Sequence, residues 1–181
     1  SWTYIKPGLP SYSFTYVTVS SSDADRVWVT LSGYAATHKV YESVNGGLNW
    51  VNITANGLPN LPVNCIVYQA GTNDDLYVGT DVGVYYKNNT MTDWIPYMTG
   101  LPNVVVKELE IHYNSGTISA ATYGRGVWES PVNTLSTDIH ETSAEQFKIY
   151  PNPAQDKITI SINSQLSNDL TLRIYSITGQ L

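Results

Sequence analysis

The 181-residue sequence has little charge and almost no cysteine. Charged side chains make up 13% of it, about half the usual quarter. Nine Lys and Arg against fifteen Asp and Glu give a net charge of −6 without a basic cluster, so nucleic acid is not expected as a partner. The single cysteine, Cys65, excludes an internal disulfide and a cysteine-based zinc site. No apolar run approaches the ~18 residues of a transmembrane helix.

Hydrophobic and aromatic residues are abundant by contrast, at 42% and 12% of the sequence. This content excludes a chain that is disordered throughout. Fourteen Tyr and five Trp accompany only two Phe. Tyr and Trp combine an apolar body with a polar tip and suit half-buried strands, so the composition favours an all-β protein.

Two markers repeat along the first two thirds of the chain. The tripeptide Gly-Leu-Pro recurs with spacings of 49 and 43 residues, and a Trp precedes each copy with spacings of 48 and 44. The tripeptides begin at Gly8, Gly57 and Gly100, and the tryptophans are Trp2, Trp50 and Trp94. Two markers that share one period of about 46 residues indicate a structural repeat.

Each repeat contains short β-branched or aromatic segments bounded by turn residues, and none has a helical period. Four short strands per repeat are typical of a β-propeller blade. Residues 1–130 are therefore predicted to form a partial propeller of about three four-stranded blades, the last without its fourth strand. Ser1–Tyr4 is expected to be the last strand of a preceding blade, so the intact protein is expected to extend upstream.

A sharper motif lies in residues 43–50, which read Ser-Val-Asn-Gly-Gly-Leu-Asn-Trp. This segment resembles the Asp-box of BNR, sialidase-, xyloglucanase- and sortilin-like propellers, with Asn in place of the usual Asp. Gly supplies a positive φ, and the polar side chains can bond the amides of the turn. We expect a structural role, not a catalytic one, for the four motif residues Ser43, Asn45, Gly47 and Trp50.

The C-terminal region carries a different signature. Residues 131–146 are polar and aperiodic, as in a linker. Residues 147–181 contain Tyr150-Pro151-Asn152-Pro153 and two alternating segments. They resemble the type A C-terminal sorting domain of the type IX secretion system, a small immunoglobulin-like β-sandwich that is incomplete here. The resemblance implies the secretion translocon and its shuttle or sortase-like components as partners. It also implies a secreted or surface protein of a Gram-negative bacterium, exported through the periplasm.

Ligand contacts are expected where the second and third strands of each blade are joined, because propeller ligands usually lie on that face. The candidate residues there are Tyr34, His38, Asp81, Tyr123 and Arg125. Tyr34 and His38 belong to a loop that is longer than its counterparts, which favours ligand contact. The alternative to ligand contact is that Asp81 only stabilises its own turn and that Arg125 is structural or solvent-exposed. The scattered histidines suggest no metal site, and no cofactor motif is present.

Two functions of the propeller remain open at this stage, and a third possibility is that the chain is simply a passenger of the export machinery. The first is a scaffold that binds a glycan or a surface protein, because the blades are aromatic, polar and without a visible catalytic pair. The second is a secreted glycoside hydrolase, sialidase- or xyloglucanase-like, with most of its catalytic residues upstream. A glycosidase needs two carboxyl groups beside the scissile bond, and Asp81 alone is suitably placed here.

Overall fold

The computed structural model describes residues 2–133, 147–150, 156–157 and 159–162. The chain divides into two compact units, Ser1–Leu135 and Ser136–Leu181. Every regular element in the described residues is a β-strand, and every strand pair is antiparallel. The described residues contain no helix that could cross a membrane.

The first unit consists of three consecutive sheets, here called blades 1, 2 and 3. Blade 1 has the order β1-β2-β3-β4, blade 2 the order β5-β6-β7-β8, and blade 3 the order β11-β10-β9. The strands of blades 1 and 2 are β1 Phe14–Val19, β2 Val27–Leu31, β3 Val40–Ser43, β4 Val51–Asn52, β5 Val63–Gln69, β6 Asp75–Thr80, β7 Gly83–Lys87 and β8 Ile95–Pro96. Those of blade 3 are β9 Val106–His112, β10 Thr117–Thr122 and β11 Val127–Pro131.

The second unit shows one hairpin in its described residues. Its strands β12, Phe147–Tyr150, and β13, Thr159–Ile162, pair in antiparallel register. The remaining residues of the predicted sandwich lie outside the described part of the chain.

The expected strand at the N-terminus is not formed. Residues 2–13 contain no strand, and Trp2 is fully exposed. A strand is defined by a ladder of hydrogen bonds to a neighbour, and the described residues offer Trp2–Tyr4 no such neighbour. The apolar pattern of this segment was therefore insufficient to predict its structure.

Two buried clusters hold the blades together. One joins Trp28 and Val40 of blade 1 to apolar side chains of blade 2, among them Ile66 and Val78. The other joins side chains of blade 2, among them Tyr77, to blade 3. The second strands β2 and β6 are buried along their whole length. Strand β6 lies between two blades, whereas the second face of β2 is covered by Leu9 and Trp50. The cores thus lie between blades, as expected of stacked repeats that cannot bury their own faces.

The blades are also joined by a repeated hydrogen bond at a β-bulge. The register shifts at Thr15 in β1 and at Asn64 in β5, so each is an extra residue in the innermost strand of its blade. Thr15 Oγ1 donates to the Val63 carbonyl at 2.6 Å, and Asn64 Nδ2 donates to the Val106 carbonyl at 3.1 Å. Each bulge therefore turns a side chain toward the first residue of the next innermost strand.

The Trp before each fourth strand makes a second repeated contact, in this case with the segment one repeat earlier. Trp50 Nε1 donates to the Ile5 carbonyl at 2.9 Å, and Trp94 Nε1 donates to the Ile53 carbonyl at 3.0 Å. Trp94 is 2% exposed, whereas Trp50 is half-buried. The period of tryptophans seen in the sequence thus corresponds to a repeated latch onto the preceding repeat, and the latch of Trp94 joins blade 2 to blade 1.

An ion pair crosses the boundary between blades 1 and 2. The Arg26 guanidinium lies 2.8 Å from Glu42 of its own blade and 3.0 Å from Asp74 of blade 2. Trp28 Nε1 also donates to Glu42, at 3.1 Å. Because both carboxylates share one arginine, the pair orients the two blades relative to each other.

Asp75 of blade 2 occupies the position equivalent to Arg26, and it is fully buried. Neither of its carboxylate oxygens has a hydrogen-bond partner in the described residues. Burial raises the pKa of Asp75, and the neighbouring Tyr86 and Asn88 side chains counter part of that rise. A carboxyl group placed in this way is more stable in its neutral form.

Candidate functional site

The candidate site is the edge where the second and third strands of each blade are connected. Ser32, Asp81 and Tyr123 each directly follow the second strand of their blade. The amides of Ser32 and Tyr123 donate to carbonyls that precede the first strands, those of Ser13 at 2.9 Å and Val105 at 2.8 Å. The three residues therefore occupy equivalent positions on one edge of the blades.

An aromatic cluster lies beside the longer loop of blade 1. We define it as His38 of that loop, Tyr12 ahead of β1 and Tyr41 of β3. His38 Nδ1 lies 2.5 Å from the Tyr41 hydroxyl, and the His38 ring lies 5.7 Å from that of Tyr12, centre to centre. Asn52 Nδ2 reaches the Tyr41 hydroxyl at 3.3 Å. Tyr34, in the same loop, is 71% exposed. Tyr41 is buried, so the rings that this edge exposes are those of Tyr12, Tyr34 and, in part, His38.

Lys39 is the last residue of this loop, directly before β3. It is fully buried, and its Nζ donates to the Gly33 carbonyl at 2.6 Å. Burial lowers the pKa of Lys39, and the negative charge of Asp81 opposes this change. Asp81 in turn accepts a hydrogen bond from Asn64 Nδ2 at 3.0 Å. The structure thus brings Asp81 into the electrostatic neighbourhood of the blade 1 loop.

The two candidates of blade 3 are exposed. The side chain of Tyr123 is 74% exposed, and Arg125 lies between Gly124 and Gly126, both of which have positive φ. The Arg125 carbonyl accepts a hydrogen bond from Trp128 Nε1 at 2.9 Å. Across the part of the chain that the structure describes, Arg125 forms no ion pair. Its guanidinium is therefore accessible to an external anion.

The same Asn64 amide links blade 3 to this edge. It donates both to Asp81 and to the Val106 carbonyl, while the Tyr123 amide bonds the adjacent Val105 carbonyl. Asp81 and Tyr123 are thus both tied to the start of β9. Tyr34 and His38, by contrast, remain on the blade 1 loop, and no hydrogen bond joins them to Tyr123 within the described residues.

The Asn-Gly-Gly hairpin between β3 and β4 is held by its own side chains. Ser43 Oγ accepts hydrogen bonds from the amides of Asn45 at 3.3 Å and Gly47 at 2.8 Å. Asn45 Oδ1 accepts from the Asn49 amide at 2.9 Å. Gly47 has a φ of +86°, and a Cβ there would lie 2.9 Å from Ile5. These hydrogen bonds and the close approach of Gly47 to Ile5 favour a structural role for the hairpin.

Sequence reasoning missed several residues that complete the site. Tyr41 lies in strand β3, and the strand pattern predicted only that its ring would pack in the core. The length of the preceding loop was the one indication that Tyr41 could contact His38. Lys39 was missed because a lysine beside a strand usually stays in solvent. Tyr16 donates to Glu108 at 2.7 Å between blades 1 and 3, and this bond raises the pKa of Tyr16 to about 12. No local pattern connects residues so far apart in sequence.

The connections between second and third strands carry few charged side chains. The connecting segments 32–39, 81–82 and 123–126 contain one acidic residue, Asp81, and two basic ones, Lys39 and Arg125. Exposed tyrosines supply apolar faces with polar edges. Within the described ranges, no group of three or more His, Cys, Asp or Glu side chains is placed to hold a metal ion.

Of the predicted sorting residues, Tyr150 ends strand β12. Pro151, Asn152 and Pro153 lie outside the described residues.

Comparison with known families identifies the C-terminal segment. Residues 148–181 match the sequence model of a family described as the secretion system C-terminal sorting domain. This match confirms the predicted localisation, because such a domain directs its protein to the cell surface or the extracellular space through the type IX system.

Comparison with solved structures confirms the fold. The GH74 enzyme of Niastella koreensis has a TM-score of 0.50 and 14% identity, over 64% of this chain and 19% of that one. The GH74 xyloglucanase of Xanthomonas campestris has a TM-score of 0.49 and 13% identity, over 66% and 21%. The chain is all-β and contains part of a propeller. This follows from the likeness to the Niastella koreensis enzyme and from the three consecutive sheets of four, four and three strands.

Among curated proteins, the endo-acting ulvan lyase of Formosa agariphila is 39% identical over 72 residues. The match covers 39% of this chain and 14% of that protein. The chain thus spans about a seventh of this relative and about a fifth of the matched GH74 structures.

Proposed function

We propose that this chain is part of a secreted propeller that binds a glycan at the edge carrying the aromatic cluster. The observation that carries this proposal is the grouping of the Tyr12 and His38 rings, held by the buried Tyr41, at the edge whose loop also exposes Tyr34. A sugar has apolar faces and hydroxyl edges. Aromatic rings with polar tips, next to charged and amide groups, complement both.

The relatives support a polysaccharide as the ligand. One is named for its action on ulvan, and the fold is shared with a GH74 enzyme. The accessible Arg125 favours a glycan that carries acidic groups, because a guanidinium can donate two parallel hydrogen bonds to a carboxylate or a sulfate. A surface protein ligand is the other form of the binding proposal, and the same edge would contact it.

Binding can be measured by titration calorimetry with ulvan oligosaccharides and with neutral xyloglucan oligosaccharides. Tyr34→Ala and Arg125→Gln should each weaken binding about fivefold or more, a loss of about 1 kcal/mol. Leu48→Ala is the matched control, since Leu48 is 72% exposed in the hairpin between β3 and β4. If neither oligosaccharide binds, or if all three variants bind like the parent chain, the glycan proposal is wrong.

A glycoside hydrolase is the second candidate function, and the fold shared with a GH74 enzyme favours it. In this case Asp81 would serve as one of two carboxyl groups, with the partner in a part of the protein outside this sequence. Asp81→Asn in the full-length protein should then abolish turnover while oligosaccharide binding persists. Unchanged hydrolysis by Asp81→Asn would exclude this role for Asp81.

For residues 147–181 we propose recognition by the type IX translocon and by its shuttle or sortase-like components, with Tyr150, Pro151, Asn152 and Pro153 at the start of the signal. Fusing residues 131–181 to a periplasmic reporter should move the reporter to the surface or the medium of a type IX-competent cell. The same fusion in a translocon-deficient strain is the control. A reporter that stays in the periplasm of the competent cell would contradict the proposal.

A further inference from the structure

Asp81 lies in the short turn between β6 and β7, but its carboxylate does not hold that turn. The Thr80 hydroxyl does so, because it accepts a hydrogen bond from the Val82 amide at 3.2 Å and donates to the Gly83 carbonyl at 2.9 Å. Within the described residues, the one hydrogen bond to the Asp81 side chain comes from Asn64 Nδ2, at 3.0 Å. The carboxylate is therefore available for contacts outside its own turn.

Asn64 reaches Asp81 because it is the extra residue of the bulge in β5. A β-bulge redirects a side chain, and such bulges are common beside functional sites. A side-chain amide nitrogen carries two hydrogens. With them Asn64 Nδ2 bonds both the Asp81 carboxylate and the Val106 carbonyl, at 3.1 Å, at the start of blade 3. One side chain thus connects Asp81 to the joint between blades 2 and 3.

Blade 1 has the same bulge with a different side chain. Its extra residue, Thr15, also bonds the next blade, through the Val63 carbonyl at 2.6 Å. A hydroxyl group has a single hydrogen, so the second contact of Thr15 Oγ1, with Thr30 Oγ1 at 2.8 Å, is one in which Thr15 accepts. In both blades the bulge joins the next blade, whereas the second contact differs.

A glycine in blade 2 explains this difference. Gly79 occupies the position of Thr30 in the strand pairing. A Cβ at Gly79 would lie 2.7 Å from Val106 Cγ1, so the packing of blade 3 on blade 2 excludes a side chain there. The amide of Asn64 therefore bonds Asp81, two residues further along the chain.

A positive charge also lies near Asp81. The Lys39 side chain is fully buried, and its Nζ donates to the Gly33 carbonyl at 2.6 Å. Burial lowers the pKa of Lys39, and the negative charge of Asp81 opposes this change. The titration of Lys39 is therefore sensitive to where the Asp81 carboxylate lies.

We infer that Asn64 is a positioning residue for Asp81. Its amide holds one carboxylate oxygen on the joint between blades 2 and 3, and the other oxygen is left to accept a hydrogen bond from a hydroxyl group of the ligand. A carboxylate that is fixed before the ligand arrives loses less conformational entropy on binding. This inference rests on the proposed function, in which this edge of the blades binds a glycan.

Asn64→Thr separates the two contacts of the Asn64 side chain. The threonine hydroxyl can keep the bond to the Val106 carbonyl, as Thr15 bonds the next blade, but it has no second hydrogen for Asp81. The joint between blades 2 and 3 should persist, so we expect little change in Tm. Asn64→Ser, which has the same single hydroxyl hydrogen, is the second variant if Asn64→Thr does not fold.

The pKa of Lys39 tests the positioning without any ligand. NMR titration of protein labelled with ¹³C-lysine should give a lower Lys39 pKa in Asn64→Thr than in the parent chain, because the released carboxylate moves away. Asp81→Asn gives the full size of this change. Asn56→Thr is the matched control, since Asn56 Nδ2 bonds Asp93 at 3.0 Å elsewhere in the chain, and it should leave Lys39 unchanged. An unchanged Lys39 pKa in Asn64→Thr would overturn the inference.

Calorimetric titration with ulvan and xyloglucan oligosaccharides tests the role in binding. Asn64→Thr should weaken binding about threefold to tenfold, the entropy cost of ordering one side chain again. If Asn64 acts through Asp81, the double variant with Asp81→Asn should bind like Asp81→Asn alone. Additive losses would contradict a positioning role. If the parent chain binds neither oligosaccharide, the proposed function is wrong, whereas the Lys39 titration still decides whether Asn64 positions Asp81.

Discussion

Replacing Trp94 with phenylalanine removes the indole N–H while leaving an aromatic ring in the buried cluster between blades 1 and 2. Trp94 is 2% exposed and donates to the Ile53 carbonyl at 3.0 Å, so the replacement leaves that carbonyl without its partner. The lost hydrogen bond costs about 1 kcal/mol. The smaller ring leaves a partial cavity that costs about 1–2 kcal/mol more. We therefore expect the free energy of unfolding to fall by about 2–3 kcal/mol.

The matched replacement is Trp50→Phe. Its indole makes the same kind of bond, to the Ile5 carbonyl at 2.9 Å, but lies half-buried. Water can solvate a carbonyl at such a site, and the lost packing is smaller. The expected loss for Trp50→Phe is therefore only about 1 kcal/mol.

Urea unfolding followed by far-UV circular dichroism measures both changes without depending on tryptophan fluorescence. An unchanged m-value, the slope of the free energy of unfolding against urea concentration, would show that the variants differ in stability and not in the surface exposed on unfolding. The reasoning is refuted if the two replacements cost the same, or if Trp94→Phe costs less than the ~0.5 kcal/mol typical of surface changes.

Three further predictions concern buried or bridging groups. Because burial raises the pKa of Asp75 above its ordinary 3.8, the free energy of unfolding should fall as the pH rises through the folded-state pKa. Asp75→Asn should flatten that fall in a plot of Tm against pH. An unchanged slope in the variant would contradict this prediction. Burial raises the pKa of Cys65 to about 12, so iodoacetamide should modify Cys65 only after unfolding, and rapid labelling of the folded chain at pH 8 would show otherwise. Arg26→Met should lower the Tm because it leaves Glu42 and Asp74 facing each other, and a double variant that also carries Asp74→Asn should recover part of the loss.

The repeat could be predicted from the sequence because its markers occupy fixed places in each blade. Gly-Leu-Pro precedes the first strand, and the tryptophan precedes the fourth, so their shared period located the blades. The prediction of a strand at Trp2 was wrong for a physical reason. Strand formation depends on a neighbouring strand that supplies hydrogen-bond partners, and not on the segment alone. Patterning within the segment carries no information about that neighbour.

The candidate site was predicted only in part, for a related reason. The loop length of blade 1 indicated Tyr34 and His38, but the contact of His38 with Tyr41 depends on how the loop folds back on β3. The ion pair of Arg26 with Asp74 joins two turns from different repeats. Such contacts follow from the stacking of blades, which the sequence pattern implies only in outline.

The bulges at Thr15 and Asn64 have a consequence for how this protein can diverge. They bind neighbouring blades through the innermost strands, and the tryptophan latches bind them through the outermost ones. The bond of Thr15 and the tryptophan latches use no residue of the connections between second and third strands, which span residues 32–39 in blade 1 but only 81–82 in blade 2. Insertions and substitutions in the longer connection of blade 1 therefore leave the joint between blades 1 and 2 untouched. A lineage can change what the edge recognises without having to rebuild the scaffold that presents it.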